Sequence, residues 1–250
     1  MSVVGDLISG METFTLVPRG PFALASSIRF LEGFAPAAYS GPRDAVVELA
    51  FPVEGSWETV GVRVQQEGTA VTAEVVAPSS PGPDLMTAVR AQVERILSLD
   101  VDGSGFPAVG ERDPVVGRLQ QSYPGLRPVG FWSPYEAAAW TIIGHRIRIR
   151  QAAAIKARMA GQLGEPVSFG DHVVHAFPAP GRLARIGTFA GLSGRKPEWL
   201  RSLAAAAQQH ELGGEVPDAG QLPELGEGLA GGQGAQLGGV QAAAQGRPGQ

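Results

Sequence analysis

Three β-rich runs in close succession constrain this chain more than any other feature: DAVVELAFPV (44–53), ETVGVRVQQ (58–66) and TAVTAEVVA (69–77). Their valines suit a pleated, half-buried surface, and the breaks between them carry the turn residues Glu54-Gly55-Ser56 and Glu67-Gly68. Strands joined so tightly pair antiparallel, because a parallel crossover needs a much longer connection. The runs predict an antiparallel meander. TFTLV (13–17) reads as a further strand, closed by Pro18, Gly20 and Pro21.

Helical periodicity flanks this sheet. From Phe22, FALASSIRFLEGF spaces Leu24, Ile28 and Leu31 by four and three, which predicts a helix closing at Gly33. Pro83-Asp84 opens LMTAVRAQVERILSL, where Leu85, Val89, Val93, Ile96 and Leu97 make one apolar stripe. Residues 12–110 are therefore expected to form an α+β domain, a small antiparallel sheet with helices over one face.

From Asp113 the chain turns helical. SPYEAAAWTIIG carries a helix start signal, with Ser133 at the N-cap, Pro134 at the first helical position and Glu136 where a capping box needs it. RQAAAIKARMAGQLG predicts a second helix ending near Gly164, APGRLARIG a short third, and KPEWLRSLAAAAQQHEL a fourth with Pro197 in its first turn. Residues 111–210 thus read as a helical domain. Residues 213–250 hold 12 Gly and 6 Gln among 38, with no aromatic and no isoleucine, so 211–250 is expected to be a disordered tail.

Composition narrows the chemistry. The absence of cysteine excludes disulfides, thiolate zinc sites and cysteine-ligated clusters. No apolar run reaches membrane-spanning length and MSVVGDLISGMETF lacks the features of a secretory signal, so a cytoplasmic protein is expected. Charge is uneven. Residues 1–130 carry nine Lys/Arg against fifteen Asp/Glu, 131–210 ten against four, and 211–250 one against five. A basic block inside an acidic chain is either a polyanion-facing surface or a set of solvated helix faces.

Two patterns resemble metal sites and neither holds. DVDGSGFPAVGE (100–111) fits the calcium-loop template with Gly105 at the sixth position and Glu111 at the twelfth, but Pro107 sits at the eighth, where a backbone N–H is needed, and no second loop exists. His172 and His175, three apart, would share a face only on a helix, and no carboxylate triad or cysteine accompanies them. No nucleophile elbow, phosphate-binding loop or dinucleotide glycine pattern is present.

Between the first two predicted helices of the second half lies GHRIRIR (144–150), in which Arg146, Arg148 and Arg150 alternate with Ile147 and Ile149. One reading is a short extended linker that anchors its isoleucines and leaves its arginines in solvent. The other is a tight turn that pushes arginines towards nucleic-acid phosphates.

SPYEAAAWTIIGHRIRIRQAAAIKARMAGQLG is similar to a helical segment of the DNA-3-methyladenine glycosylase II group, the alkylbase DNA glycosylases of the helix-hairpin-helix superfamily. FPAPGRLARIGTFAGLSGRKPEWLRSLAAAA resembles a later segment of the same family, and FTLVPRGPFALASSIRFLEGF its opening strand and helix. The resemblance spans roughly residues 12–208. It implies a bacterial, nucleoid-associated, monomeric repair enzyme that acts on double-stranded DNA containing alkylated bases, with no metal and no cofactor. The reaction it implies is hydrolysis of the N-glycosidic bond of an alkylated purine after base flipping. In the family the turn after the glycine carries a side chain that plugs the gap left by the flipped nucleotide. Arg146 falls at that wedge position and His145 where the family has glutamine. Arg148 stands where many relatives have a helix-capping serine, and with Arg150 it completes the implied DNA-binding set. Phe30 falls at a position that lines the family's base pocket; read as a helix residue, it is equally a core aromatic beside Ile28 and Leu31.

The sequence departs from the family after the WLR segment. The hairpin pattern LPGIGPWTA and the later segment bearing the catalytic aspartate have no counterpart, and the last aspartate, Asp218, stands in the unrelated EVPDAGQLPEL. No catalytic residue is therefore assigned. The helical domain is expected to be incomplete, through a shifted reading frame or a truncation, and the chain to have little or no excision activity. A non-catalytic DNA-binding protein or a non-functional truncated product are the alternatives.

Overall fold

The computed structural model describes residues 12–37, 39 and 45–209. The expected tail at 211–250 lies outside the described residues. Within them the fold is α+β: a four-stranded antiparallel sheet, a two-stranded hairpin and eight helices. No helix among the described residues is long and apolar enough to cross a membrane.

The sheet comprises β1 (Glu12–Leu16), β2 (Val46–Pro52), β3 (Thr59–Glu67) and β4 (Ala70–Val76), in the order β1-β4-β3-β2. The meander is as the sequence predicts, and the first strand returns to pair with β4, setting Leu16 opposite Val71. Register places Val47, Leu49 and Phe51 opposite Val64, Val62 and Val60, so one face is continuously apolar. Two helices cover that face: α1 (Leu24–Gly33) through Leu24, Ile28 and Leu31, and α2 (Pro83–Ile96) through Val89, Val93 and Ile96.

Helices α3 (Phe106–Arg112) and α4 (Pro114–Ser122) follow, hinged at Asp113, whose carboxylate accepts the N–H groups of Val115 and Val116. The segment that matches a calcium loop is built differently. Its second half is the α3 helix, and the buried Arg127 guanidinium donates to the carbonyls of Arg19, Pro21, Ser98 and Val101, so a side-chain cation closes the loop.

The helical half begins with α5 (Pro134–Gly144). The Ser133 hydroxyl accepts the Glu136 N–H at 3.0 Å, which confirms the predicted N-cap. The reciprocal half of the capping box does not form. Glu136 is buried, and its carboxylate pairs with Lys156 Nζ at 2.6 Å from α6 (Ile149–Leu163). With α7 (Pro180–Leu183) and α8 (Lys196–Gln208) these helices enclose a second core: Tyr135, Ala139 and Ile143 pack against Ile155, Met159, Leu200 and Ala204.

The hairpin was not anticipated from the sequence. Strands β5 (Pro166–Phe169) and β6 (His172–His175) flank Gly170-Asp171, with Gly170 at φ +69. A glycine-first two-residue loop between short β-rich runs is a hairpin signal. The hairpin covers the second face of the sheet, where Gly61 makes room: a Cβ there would overlap Val167 and Phe169. On a strand, residues three apart point to opposite faces. His172 accordingly turns to Glu48, Nδ1 to Oε2 at 2.8 Å, and His175 stands opposite Pro166, so the two histidines do not converge.

Candidate nucleic-acid interface

Helix α5 stops at Gly144, and α6 starts at Ile149. The four residues between them form a tight turn rather than an extended linker. His145 N–H reaches back to Ile142 O (3.4 Å) and Ile147 N–H to Gly144 O (3.2 Å). To close this turn, Arg146 adopts a left-handed backbone at φ +55. A non-glycine residue pays about 1–3 kcal/mol for such a conformation, and outliers of this kind gather at functional sites.

The turn separates the arginines from the isoleucines less neatly than the alternation predicts. Arg146, Arg148 and Arg150 are exposed, and among the described residues none of their side chains has a hydrogen-bond or ion-pair partner. Ile147 is half-buried against the helical core, as expected of an anchor. Ile149 is 58% exposed, because by that point the chain has entered the first turn of α6 and helical rather than extended geometry sets its direction. Arg148 is the N-cap of α6 and makes no side-chain cap, which leaves the positive end of a 15-residue helix open beside two cationic side chains.

His145 is half-buried and lies edge-on to Trp199, ring centroids 6.1 Å apart. It shares the turn with the three arginines but packs against α8. Phe30 stands elsewhere. It leaves α1 half-exposed and stacks on Phe34 (5.5 Å), which in turn meets Phe131 edge-on (5.4 Å). Phe131 leads into the N-terminus of α5, whereas the arginine turn follows its C-terminus, so the helix, about 16 Å long, separates the two groups. Phe34, Phe131, Trp199 and Lys196 carry no local sequence signal for a site. They are recognised only once the fold brings them to Phe30 and to the turn.

A polar cleft of about 210 Å³ lies between the sheet and α6, lined by Tyr39, Glu48, Glu136, Lys156 and His175 among others. Burial pushes the Tyr39 hydroxyl up to about 12, so it is a neutral donor at ordinary pH. Among the described residues no cluster of three His, Asp or Glu is placed to hold a metal ion.

An antiparallel sheet backed by helices, followed by a helical body, is a fold that this chain shares with a solved DNA-glycosylase. No family model matches the sequence. The particular protein that it resembles in sequence is the DNA-3-methyladenine glycosylase of Bacillus subtilis (strain 168), 26% identical over 90 residues, covering 36% of this chain and 30% of that protein. In structure it is similar to the 3-methyladenine DNA-glycosylase of Archaeoglobus fulgidus, with a TM-score of 0.63 at 19% identity over 76% of this chain and 66% of that one. An 8-oxoguanine glycosylase/lyase of Clostridium acetobutylicum, solved with duplex DNA, aligns at a TM-score of 0.47, 16% identity, and covers 76% and 61% of the two chains. The chain thus spans less than a third of its curated relative and just under two thirds of the archaeal structure.

Proposed function

We propose that this chain engages duplex DNA in the manner of an alkylbase repair glycosylase, with the Gly144–Arg148 turn entering the duplex at an opened base step. The observation that carries the reading is Arg146, exposed, without a side-chain partner among the described residues and held left-handed at the tip of the turn. Arg148 and Arg150 then meet the flanking phosphates, with the uncapped N-terminus of α6 adding its own positive end. His145 supports the turn from behind, against Trp199. Plugging the gap is useful because an extruded nucleotide leaves its neighbours unstacked, at a penalty of about a few kcal/mol.

Phe30, with Phe34 and Phe131, offers an apolar aromatic platform for an everted base. The resemblance to a DNA-3-methyladenine glycosylase supports an alkylated purine as that base. Excision needs more than recognition. In the family a hairpin grips a phosphate and an aspartate stabilises the sugar cation as the base leaves, and residues 1–250 hold no counterpart of either segment. The reading therefore assigns binding and flipping to these residues and gives them no excision step.

Anisotropy titrations with duplex DNA across a salt series test the first half. Arg148→Ala and Arg150→Ala are each expected to lower the slope of log affinity against log salt by about one, and a triple variant with Arg146→Ala to lose most specific binding. A triple variant with wild-type affinity would sink the reading. Release of 3-methyladenine from methylated DNA at the rate of a complete relative would overturn the second half.

A further inference from the structure

Helix α5 ends directly beneath the arginine turn, and the last carbonyls of any helix lack partners inside it. Here Ile142 O accepts from His145 N and Gly144 O from Ile147 N. Ile143 O accepts from a residue far along the chain: Lys196 Nζ, the first residue of α8, at 2.9 Å. Lys196 is 5% exposed. Among the described residues the Ile143 carbonyl is the one hydrogen-bond partner of its ammonium, which joins no ion pair. Burial holds its ammonium below the ordinary lysine value. A buried cation with no carboxylate is costly, and what compensates it here is the negative end of α5. Lys196 is a side-chain cap on the helix that ends at the turn.

One turn further along α8, Trp199 meets the edge of His145, and Arg195 lies over the same indole at 5.8 Å. The N-terminal turn of α8 therefore grips both the final carbonyl end of α5 and the first residue of the turn. Neither grip reaches the solvent face where the three arginines stand.

We propose that Lys196 and Trp199 are positioning residues that fix the Gly144–Arg148 turn before DNA arrives, so that Arg146 is presented in its left-handed conformation; the proposal rests on the DNA-wedge reading of that turn. A turn ordered in advance loses little freedom on binding, and the affinity of Arg146 for an opened base step is kept rather than spent on ordering.

The test compares Lys196→Met and Trp199→Leu with wild type, and with Val62→Ala, a truncation in the core of the sheet that lowers stability without touching α8. In the DNA-free protein, amide hydrogen exchange at His145 and Ile147 is expected to quicken roughly tenfold in both α8 variants and to stay at the wild-type rate in Val62→Ala. With a duplex carrying 2-aminopurine at the target position, both α8 variants lose the fluorescence rise that reports flipping, while the salt slope of binding stays at the wild-type value. Should Lys196→Met fail to fold, Trp199→Leu, at a half-buried position, carries the comparison. Wild-type exchange rates in the folded variants would overturn the proposal. So would a salt slope lowered by about one in Lys196→Met, since Lys196 would then be a phosphate contact. If wild type binds no duplex while both variants loosen the turn, the DNA reading falls and the brace stands.

Discussion

Lys156 Nζ lies 2.6 Å from Glu136 Oε1 with 7% and 3% of the two side chains exposed, and this pair ties together the two helices that flank the arginine turn. Lys156 also donates to Pro36 O at 2.7 Å and sits over the Phe177 ring, so it joins the helical core to the segment after α1. Glu136 has less support. Its second oxygen, Oε2, is buried without a hydrogen-bond partner among the described residues. Lys156→Met alone is expected to destabilise by about 3–5 kcal/mol, because it leaves a buried carboxylate uncompensated, whereas Glu136→Gln with Lys156→Met should recover most of the loss. Urea unfolding of the two variants, with unchanged slopes, is the measurement.

Arg146 predicts a conflict between stability and binding. Glycine at this position relieves a left-handed penalty of about 1–3 kcal/mol but adds about 0.5–1 kcal/mol of unfolded-chain freedom. Arg146→Gly is therefore expected to gain about 1 kcal/mol of stability and to lose duplex affinity. Thermal unfolding and a DNA titration on the same sample check both signs, and a less stable Arg146→Gly would contradict the strain argument.

Gly61 is the contact point between sheet and hairpin. Adding a Cβ forces Val167 and Phe169 to move, so Gly61→Ala is expected to cost about 1–3 kcal/mol as an overpacked site. Gly187, exposed and with no atom near its missing Cβ, is the contrast: Gly187→Ala should stay within about 0.5 kcal/mol of wild type.

Glu54 gives a pH dependence. Burial raises its carboxyl above the ordinary value, and the neighbouring Arg95 at 2.6 Å opposes this without cancelling it. The folded state then holds the proton more tightly than the unfolded chain. Its contribution to stability is fully present below the unfolded value, roughly 4.3, and is lost as pH rises through the raised folded value. Glu54→Gln, neutral throughout, should match wild type near pH 4 and exceed it progressively as pH rises towards 7. A difference between the two that stays flat with pH would refute this.

The elements were largely legible in the residues because their signals are local. Valine-rich runs with short turns between them specify strands β2, β3 and β4, and the apolar stripes of α1 and α2 specify which face they cover. Ser133 and Pro134 start α5 through a hydrogen bond three residues long. The exceptions are instructive. The β5-β6 hairpin has its own signal in Gly170-Asp171, but the three-residue spacing of His172 and His175 suits a helix equally, so the local pattern alone does not fix the strands. Glu136 sits at a capping position, but burial beside Lys156 outweighs the cap that position would allow.

What the sequence determined by itself was the α+β order of elements, the place of the turn and the presence of three arginines in it. Only tertiary structure decided how that turn is held. Arg146 carries no side-chain preference for a left-handed backbone, and it takes one because two packed helices fix the ends between which four residues must pass. Phe34 finds Phe131, and Lys196 finds the Ile143 carbonyl, across stretches of chain over which no periodicity or short motif carries information. Such contacts follow from the docking of whole elements, and docking is set by the sum of many buried surfaces rather than by any one residue.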